Sequence, residues 1–215
     1  MKRIFLLSVL VLFAITSFAG NQLNHELIER KMEITLPSFT LIEDNKTLDT
    51  INDTLYSDSF KLLNGFQDTT EGFRSWDATV YISESTVTHQ SEKTLSFTTT
   101  QYLYYYHAAH GMHLLLGYIF DAETGKKLTL DDLFTGDAYK TKILDYMNNE
   151  IKTKKIPIFS DTAFKGVDKN TEFYLEEDHL VFVFQEYEYT PYAHGFLIFK
   201  MPLDDLKEDL NKKYF

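Results

Sequence analysis

Residues Gln101 to Phe134 read QYLYYYHAAHGMHLLLGYIFDAETGKKLTLDDLF, and this stretch decides the fold. Its first run, to Tyr106, is rich in tyrosine. Its second, Met112 to Asp121, is rich in leucine, isoleucine and phenylalanine. Such residues suit a pleated, half-buried surface, so two strands around a short loop at His107–His110 are expected. A turn at Glu123-Thr124-Gly125-Lys126 then leads to Leu128-Thr129-Leu130 and the acidic pair Asp131-Asp132. The first strand begins near Lys93 and alternates. Leu95, Phe97, Leu103 and Tyr105 share one face, with Ser96, Thr98 and Thr100, then Tyr102, Tyr104 and Tyr106, on the other. A face that passes from hydroxyls to tyrosines marks a strand leaving solvent for a contact surface. Residues 112–121 are apolar on both parities, which predicts a central strand.

On the N-terminal side, Met32-Glu33-Ile34-Thr35-Leu36 alternates and stops at Pro37, which lacks a ladder donor and predicts an edge strand or its end. A turn over Leu41 to Asn45 follows. Leu48, Ile51, Leu55 and Leu62-Leu63 then recur near the helical period, with Asn45 as N-cap and Gly65 just past the end. Trp76, Ala78, Val80 and Ile82 share one parity of a half-buried strand.

On the C-terminal side, Asp137 caps a helix whose stripe is Tyr139, Ile143, Met147 and Ile151. Lys152, Lys154 and Lys155 lie in its last turn, where the helix dipole favours cations, and Pro157 ends it. Residues 158–171 are irregular, with Phe159 and Phe164 as anchors. Strands are expected at Glu172–Leu175, His179–Gln185 and Gly195–Met201, then an amphipathic helix using Leu203, Leu206 and Leu210. The sum is an α+β fold: a largely antiparallel sheet of hairpins packed by about three helices, including a C-terminal amphipathic helix.

The chain has 215 residues, 44% of them hydrophobic and 25% charged, which is a globular composition. Lys2-Arg3, the apolar run Ile4 to Ile15 and the small-x-small Ser17-Phe18-Ala19 read as a secretory signal cut after Ala19. Its apolar run is short of the roughly 20 residues that span a bilayer, so no stable membrane span is expected after cleavage. Residues 1–19 are then the signal. Residues 20–215 form one secreted or periplasmic module with halves of about 32–110 and 111–215. With no cysteine, disulfides and a lipid-modified cysteine are excluded. Cleavage removes two basic residues and no acid, leaving 19 basic against 32 acidic residues and a mature charge of −13. That field repels nucleic acid and speeds encounter with a basic partner.

Candidate chemistry centres on histidine and tyrosine. His107, His110 and His113 are spaced by three, and His194 lies in Tyr192-Ala193-His194-Gly195. On a strand, His107 and His113 face one side and His110 the other, so spacing alone builds no metal cage. A loop that gathered them with His194 would make a three-histidine zinc site conceivable. The simpler reading is that His110 hydrogen-bonds the loop backbone, and neither a zinc motif nor a cofactor motif is present. No Gly-x-Ser-x-Gly elbow occurs, so no catalytic residue is assigned. Glu186 and Glu188 share a strand face, yet a glycosidase needs two acids at a set separation around a cleft. Asp131-Asp132 sits where a helix or turn begins and can accept backbone N–H groups. Tyr102 and Tyr104 to Tyr106, then Tyr187, Tyr189 and Tyr192, place amphipathic rings in two segments. Such rings serve either as packing under a helix or as a ligand face.

Those same segments resemble a known family. Ala109-His110-Gly111, Asp121, Thr124-Gly125-Lys126 and Leu128 to Phe134 match one signature. Phe184-Gln185, Tyr187, Pro191-Tyr192-Ala193 and Gly195 match a second. The chain from about Met32 onward is similar to the extracellular domain of RsiV, a membrane-bound anti-sigma factor that senses lysozyme. It is equally similar to the N-terminal accessory region of PdaC-type peptidoglycan deacetylases. The family's two glycines before Ala109 are His107 and Ala108 here, and His194 replaces a usually small residue. No cytoplasmic segment precedes the signal and no deacetylase domain follows Phe215, so the resemblance implies the exported module alone. It implies a bacterial, non-enzymatic binding module of the cell envelope, with a basic protein such as lysozyme or a cell-wall glycan as ligand. Tyr104, Tyr106, His107, His110, Tyr187, Tyr189, Tyr192 and His194 are the candidate ligand residues. Ala109, Gly111, Gly125, Asp131, Pro191 and Gly195 are the structural motif positions. A small peptidoglycan-directed hydrolase, metal-assisted through His107, His110 and His194, and a structural envelope protein are the competing readings.

Overall fold

The computed structural model of the chain describes residues 31–36, 45–69, 78–105 and 108–215. The signal segment, Pro37, the turn over 41–44, Trp76, Tyr106 and His107 lie outside the described residues. A four-stranded sheet holds β1 (Lys31–Thr35), β2 (Ala78–Gln90), β3 (Thr94–Tyr105) and β4 (Met112–Asp121), in that order. A three-stranded sheet holds β5 (Glu172–Leu175), β6 (His179–Phe184) and β7 (Leu197–Pro202). All pairs are antiparallel except β1–β2, which is parallel. The fold is α+β, as expected, with the strands divided between two sheets.

The first sheet carries its helices on one face. Ile51 and Leu55 of α1 (Asn45–Asp58) pack on Leu95, Phe97, Leu116, Tyr118 and Phe120. Leu63 of α2 (Lys61–Thr69) packs on Tyr81, Leu103 and Tyr105. The single helix expected from the periodicity is therefore two, and Gly65 lies inside the second rather than beyond the end. The break is held by buried Gln101, whose Oε1 accepts Leu62 N–H at 2.8 Å while its Nε2 donates to Asp58 O. One side chain thus satisfies a donor and an acceptor left over where two helices meet.

Strand β2 inverts its expected parity. Tyr81, Ser83 and Ser85 are buried under the helices, while Val80 and Ile82 are half-buried. That face is paired in part: the Ser85 and Thr99 hydroxyls are 2.7 Å apart, while the buried Ser83 hydroxyl has no hydrogen-bond partner among the described residues. Strand β4 is the last strand of its sheet, not a central one. Its two apolar parities arise because α1 covers one face and the second sheet packs on the other. There Leu115 meets Tyr174, Val181 and Val183. Gly117 allows the closest approach, since a Cβ on it would lie 2.3 Å from Phe173 O.

Helix α3 (Ala138–Lys154) covers the far face of the second sheet with Tyr139, Ile143 and Met147, all buried against a core that includes Phe182, Phe199 and Met201. Each such side chain contributes roughly 1.5–3 kcal/mol by leaving water. Lys155, left-handed at φ 52°, ends the helix two residues before Pro157. The C-terminal helix α4 is a single turn, Leu203–Leu206. Buried Leu206 anchors it, and Leu210 instead bridges to Phe134.

Candidate functional site

The free edge of β4 decides what comes together. An unpaired strand edge exposes backbone donors and acceptors that invite another chain. Here side chains from the second sheet close it. Gln185 accepts Leu115 N–H at 3.1 Å and donates to Leu115 O at 2.8 Å, and Glu172 accepts Gly117 N–H at 3.1 Å. Farther along, Leu128 N–H reaches Ile119 O at 2.8 Å. Docking Gln185 on β4 brings the β6–β7 connection, residues 185–196, beside the end of the β3–β4 hairpin.

That connection opens with a tight turn. Glu188 N–H donates to Gln185 O at 3.1 Å, and the Glu188 carboxylate accepts Gln185 N–H at 2.8 Å. Tyr187 occupies the third turn position at φ 65°, where glycine or asparagine is favoured. Holding a tyrosine left-handed costs about 1 kcal/mol. The outcome is a ring 58% exposed, stacked on Tyr192 at 5.6 Å between centroids. Tyr192 in turn stacks on His110 at 4.1 Å, and its hydroxyl donates to Gly111 O at 3.1 Å. Burial first, then the negative charge of Glu186, pushes the Tyr192 phenol above its ordinary range, so it stays a neutral donor.

A second aromatic group adjoins the first through Gly111, where a Cβ would overlap the Tyr102 ring at 2.1 Å. Tyr102 lies 5.0 Å from the His113 ring, which meets the edge of Phe196 at 6.4 Å. Glu186 Oε1 is 3.2 Å from His113 Nδ1, close enough for an ion pair when the imidazole is protonated but off-line for a hydrogen bond. An exposed stack of Tyr187, Tyr192 and His110 therefore continues into Tyr102, His113 and Phe196, with one acid beside it.

The candidate ligand residues divide accordingly. His110, Tyr187 and Tyr192 come together in the stack, and His110 Nδ1 also meets Gly111 O at 2.8 Å, the loop-backbone contact considered above. Tyr104 is half-buried, and its hydroxyl reaches Ala108 O at 3.3 Å. Tyr189 turns inward, 4.9 Å from Phe164 and 5.2 Å from Phe184. His194 is exposed at the end of a one-turn 3₁₀ helix, Tyr192–His194, capped by Pro191 and by Gly195 at φ 73°. Tyr106 and His107 lie outside the described residues, among which no group of three or more histidine or acidic side chains is placed to hold a metal. Reading the sequence missed Gln185 and Glu172 as edge clamps, and Glu186 and Phe196 as neighbours of His113. Gly117 was the available signal, because a glycine inside an apolar strand marks a close backbone approach.

In the other signature, His110 and Gly111 belong to the stack, and the part from Asp121 onward is built on turn and capping contacts. Asp121 Oδ1 accepts Glu123 and Thr124 N–H at 2.9 and 3.0 Å, and its Oδ2 accepts Lys213 Nζ at 2.8 Å. Gly125 completes that turn at φ 70°, where a Cβ would lie 2.9 Å from Thr47 O. Thr129 and Asp132 form a reciprocal capping box on the 3₁₀ turn Leu130–Leu133. Burial alone would raise the Asp132 pKa, but Lys126 Nζ at 2.8 Å and the Thr129 donors bring it down to about 2. Asp131 accepts the Tyr139 hydroxyl at 2.5 Å.

Comparison with known proteins gives a family match over part of the chain and a shared fold. The family DUF3298, a protein of unknown function, matches residues 131–204, a span that includes Tyr187 and Tyr192 but stops short of β3 and β4. A solved DUF3298 structure from Bacteroides fragilis is similar over 79% of this chain and 70% of its own, at 23% identity and a TM-score of 0.51. A DUF3298 family protein from Pseudomonas aeruginosa PAO1 is similar over 77% of this chain and 81% of its own, at 16% identity and a TM-score of 0.55. No curated protein matches the chain. A DUF3298 match over its C-terminal part and a fold shared with two DUF3298 structures are what the chain has in common with known proteins.

Proposed function

We propose that the chain is an exported, non-catalytic binding module of the cell envelope, whose aromatic stack holds a basic protein ligand of the lysozyme kind. The observation that carries this reading is Tyr187. A large ring 58% exposed is held at φ 65°, against its own backbone preference, and stacked on Tyr192. Local strain kept at an exposed position fits a recognition role, and tyrosine is enriched in binding surfaces. The mature charge of −13 complements a basic partner. The resemblance to the RsiV extracellular domain supports the same ligand class.

Calorimetric titration of lysozyme into the mature chain, at low and at physiological salt, tests the proposal. Saturable binding that weakens as salt rises is expected, since rim charges are screened. Absence of binding at both salt concentrations removes the lysozyme ligand. Binding of soluble cell-wall glycan to the same stack in its place would move the assignment to a sugar. Turnover of a cell-wall fragment by the purified chain would replace it with a hydrolytic one.

A further inference from the structure

A second feature stands apart from the aromatic stack. Between α2, β5, the residues after β4 and the start of α3 lies a cleft of about 790 Å³, within the range of small-ligand sites. Four lysines line it, Lys61, Lys127, Lys140 and Lys169, against three acids, Asp131, Asp168 and Glu172. In a chain of net charge −11 that local balance is unusual. More telling is which of these groups are satisfied.

The acids are engaged by the protein itself. Asp131 accepts the Tyr139 hydroxyl at 2.5 Å, Asp168 accepts Asn170 N–H at 2.8 Å, and Glu172 accepts Gly117 N–H at 3.1 Å. Of the cations, Lys140 is engaged too, by Asp137 at 2.6 Å and Asp131 at 3.3 Å, but the other three are not held closely. Lys61 reaches Glu172 only at 3.6 Å and Lys127 reaches Asp58 only at 4.0 Å. The Asp58 carboxylate is already taken by the Tyr118 hydroxyl at 2.9 Å. Lys169 makes no ion pair among the described residues. Lys127 also lies 4.3 Å above the Tyr118 ring, and desolvation holds its ammonium below the usual lysine range despite the attraction of Glu172 and Asp58. An incoming anion would therefore meet two loosely paired lysines, Lys61 and Lys127, while Glu172 keeps its Gly117 N–H and Asp58 its Tyr118 hydroxyl.

The rest of the lining narrows the ligand. Phe173 and Tyr139 supply aromatic surface, while Thr129, Thr171 and Asn170 supply hydroxyl and amide groups. A pyranose ring presents a C–H face to the first kind of surface and a rim of hydroxyls to the second. We infer that this cleft is a binding site for a carboxylate-bearing sugar, its carboxylate between Lys61 and Lys127 and its ring against Phe173. The site is independent of the aromatic stack and of any protein ligand there.

Titration of the mature chain with glucuronate, followed by amide chemical shifts, tests the assignment beside glucose and inorganic phosphate as probes. Glucuronate should shift residues 127–131 and 168–173 saturably, glucose and phosphate each at least about tenfold more weakly. The double variant Lys61→Gln/Lys127→Gln should weaken glucuronate by about tenfold or more, while Tyr187→Ala should leave it unchanged. If the double variant does not fold, Lys169→Gln alone should weaken binding measurably. Glucuronate shifts that are absent, scattered away from the cleft, matched by phosphate or glucose, or retained in the folded lysine variants would overturn the assignment.

Discussion

The two signature segments of this chain behave in opposite ways. In the first, Asp121 to Phe134, the side chains that define the pattern serve a turn, a cap and the core, although Glu123, Thr124, Lys126 and Lys127 are exposed. Asp121 binds two backbone donors and Lys213, the Thr129–Asp132 box closes on itself, and Leu133 and Phe134 are buried. In the second, Gln185 to Gly195, Gln185 clamps the strand edge, Tyr189 and Thr190 turn inward, and an aromatic group faces out. Tyr187 is left-handed and exposed, Tyr192 is stacked on His110, and His194 faces solvent. Both segments carry an equally specific residue pattern. Hydrogen bonding and burial explain Asp121, Thr129, Asp132, Leu133 and Phe134 in the first pattern, and leave the exposed Tyr187 of the second and its stacked partner Tyr192 unexplained by folding. A recognisable motif is therefore no guide to function until its partners are counted.

Substitutions can break that contrast, beginning where packing is tightest. Gly117→Val places atoms where Phe173 O already lies 2.3 Å from a Cβ, with backbone on both sides. It should cost about 3 kcal/mol in urea denaturation. The contrasting change, Gly65→Ala inside α2, meets open space and should hold stability or raise it by up to about 1 kcal/mol. Equal losses at the two glycines would erase the distinction.

Gln185→Ala removes the clamp and leaves Leu115 N–H and C=O without their partner. A loss of about 2 kcal/mol is expected, together with faster hydrogen exchange at Leu115, whose amide this side chain protects. Unchanged exchange there would mean that the edge is held another way.

Asp132 links the inward segment to pH. Its folded pKa of about 2 lies below the ordinary 3.8, so its contribution is fully present above the unfolded value and is lost as pH falls through the folded one. Stability should decline from about pH 4 to about pH 2. In Asp132→Asn that part of the slope should be missing, with about 1 kcal/mol lost at neutral pH through the weakened capping box. An identical acid slope in both proteins would contradict the assignment.

How much of this was legible in the sequence follows the same division. The α3 stripe of Tyr139, Ile143 and Met147 and the bounds of β5 were legible, because apolar period is local, whereas the expected cap was not formed: Asp137 pairs with Lys140 at 2.6 Å and its carboxylate takes no backbone N–H. The buried face of β2 was not, because it is built from Ser83, Ser85 and a tyrosine whose burial depends on Gln101 and the helices above. Division into two sheets was hidden for a related reason: it rests on Gly117 meeting Phe173, 56 residues apart in the chain. In the candidate site the tyrosines were legible as a class, but their directions were not. Tyr189 points into the core and Tyr187 away from it, and a turn at φ 65° sets that difference rather than any strand alternation.

The smallest stability effect belongs to the exposed Tyr187. Tyr187→Gly removes a left-handed strain and little packing, so stability should hold or rise by up to about 1 kcal/mol. A fall of several degrees in Tm would show that the ring supports the fold.

The most direct test pairs a melting curve with a lysozyme titration for the mature chain and for Tyr187→Ala/Tyr192→Ala. If the stack is a surface for recognition, the double variant melts within a few degrees of the parent and its affinity drops at least about tenfold. Undiminished binding by a well-folded double variant, or binding that disappears only together with the fold, would contradict it.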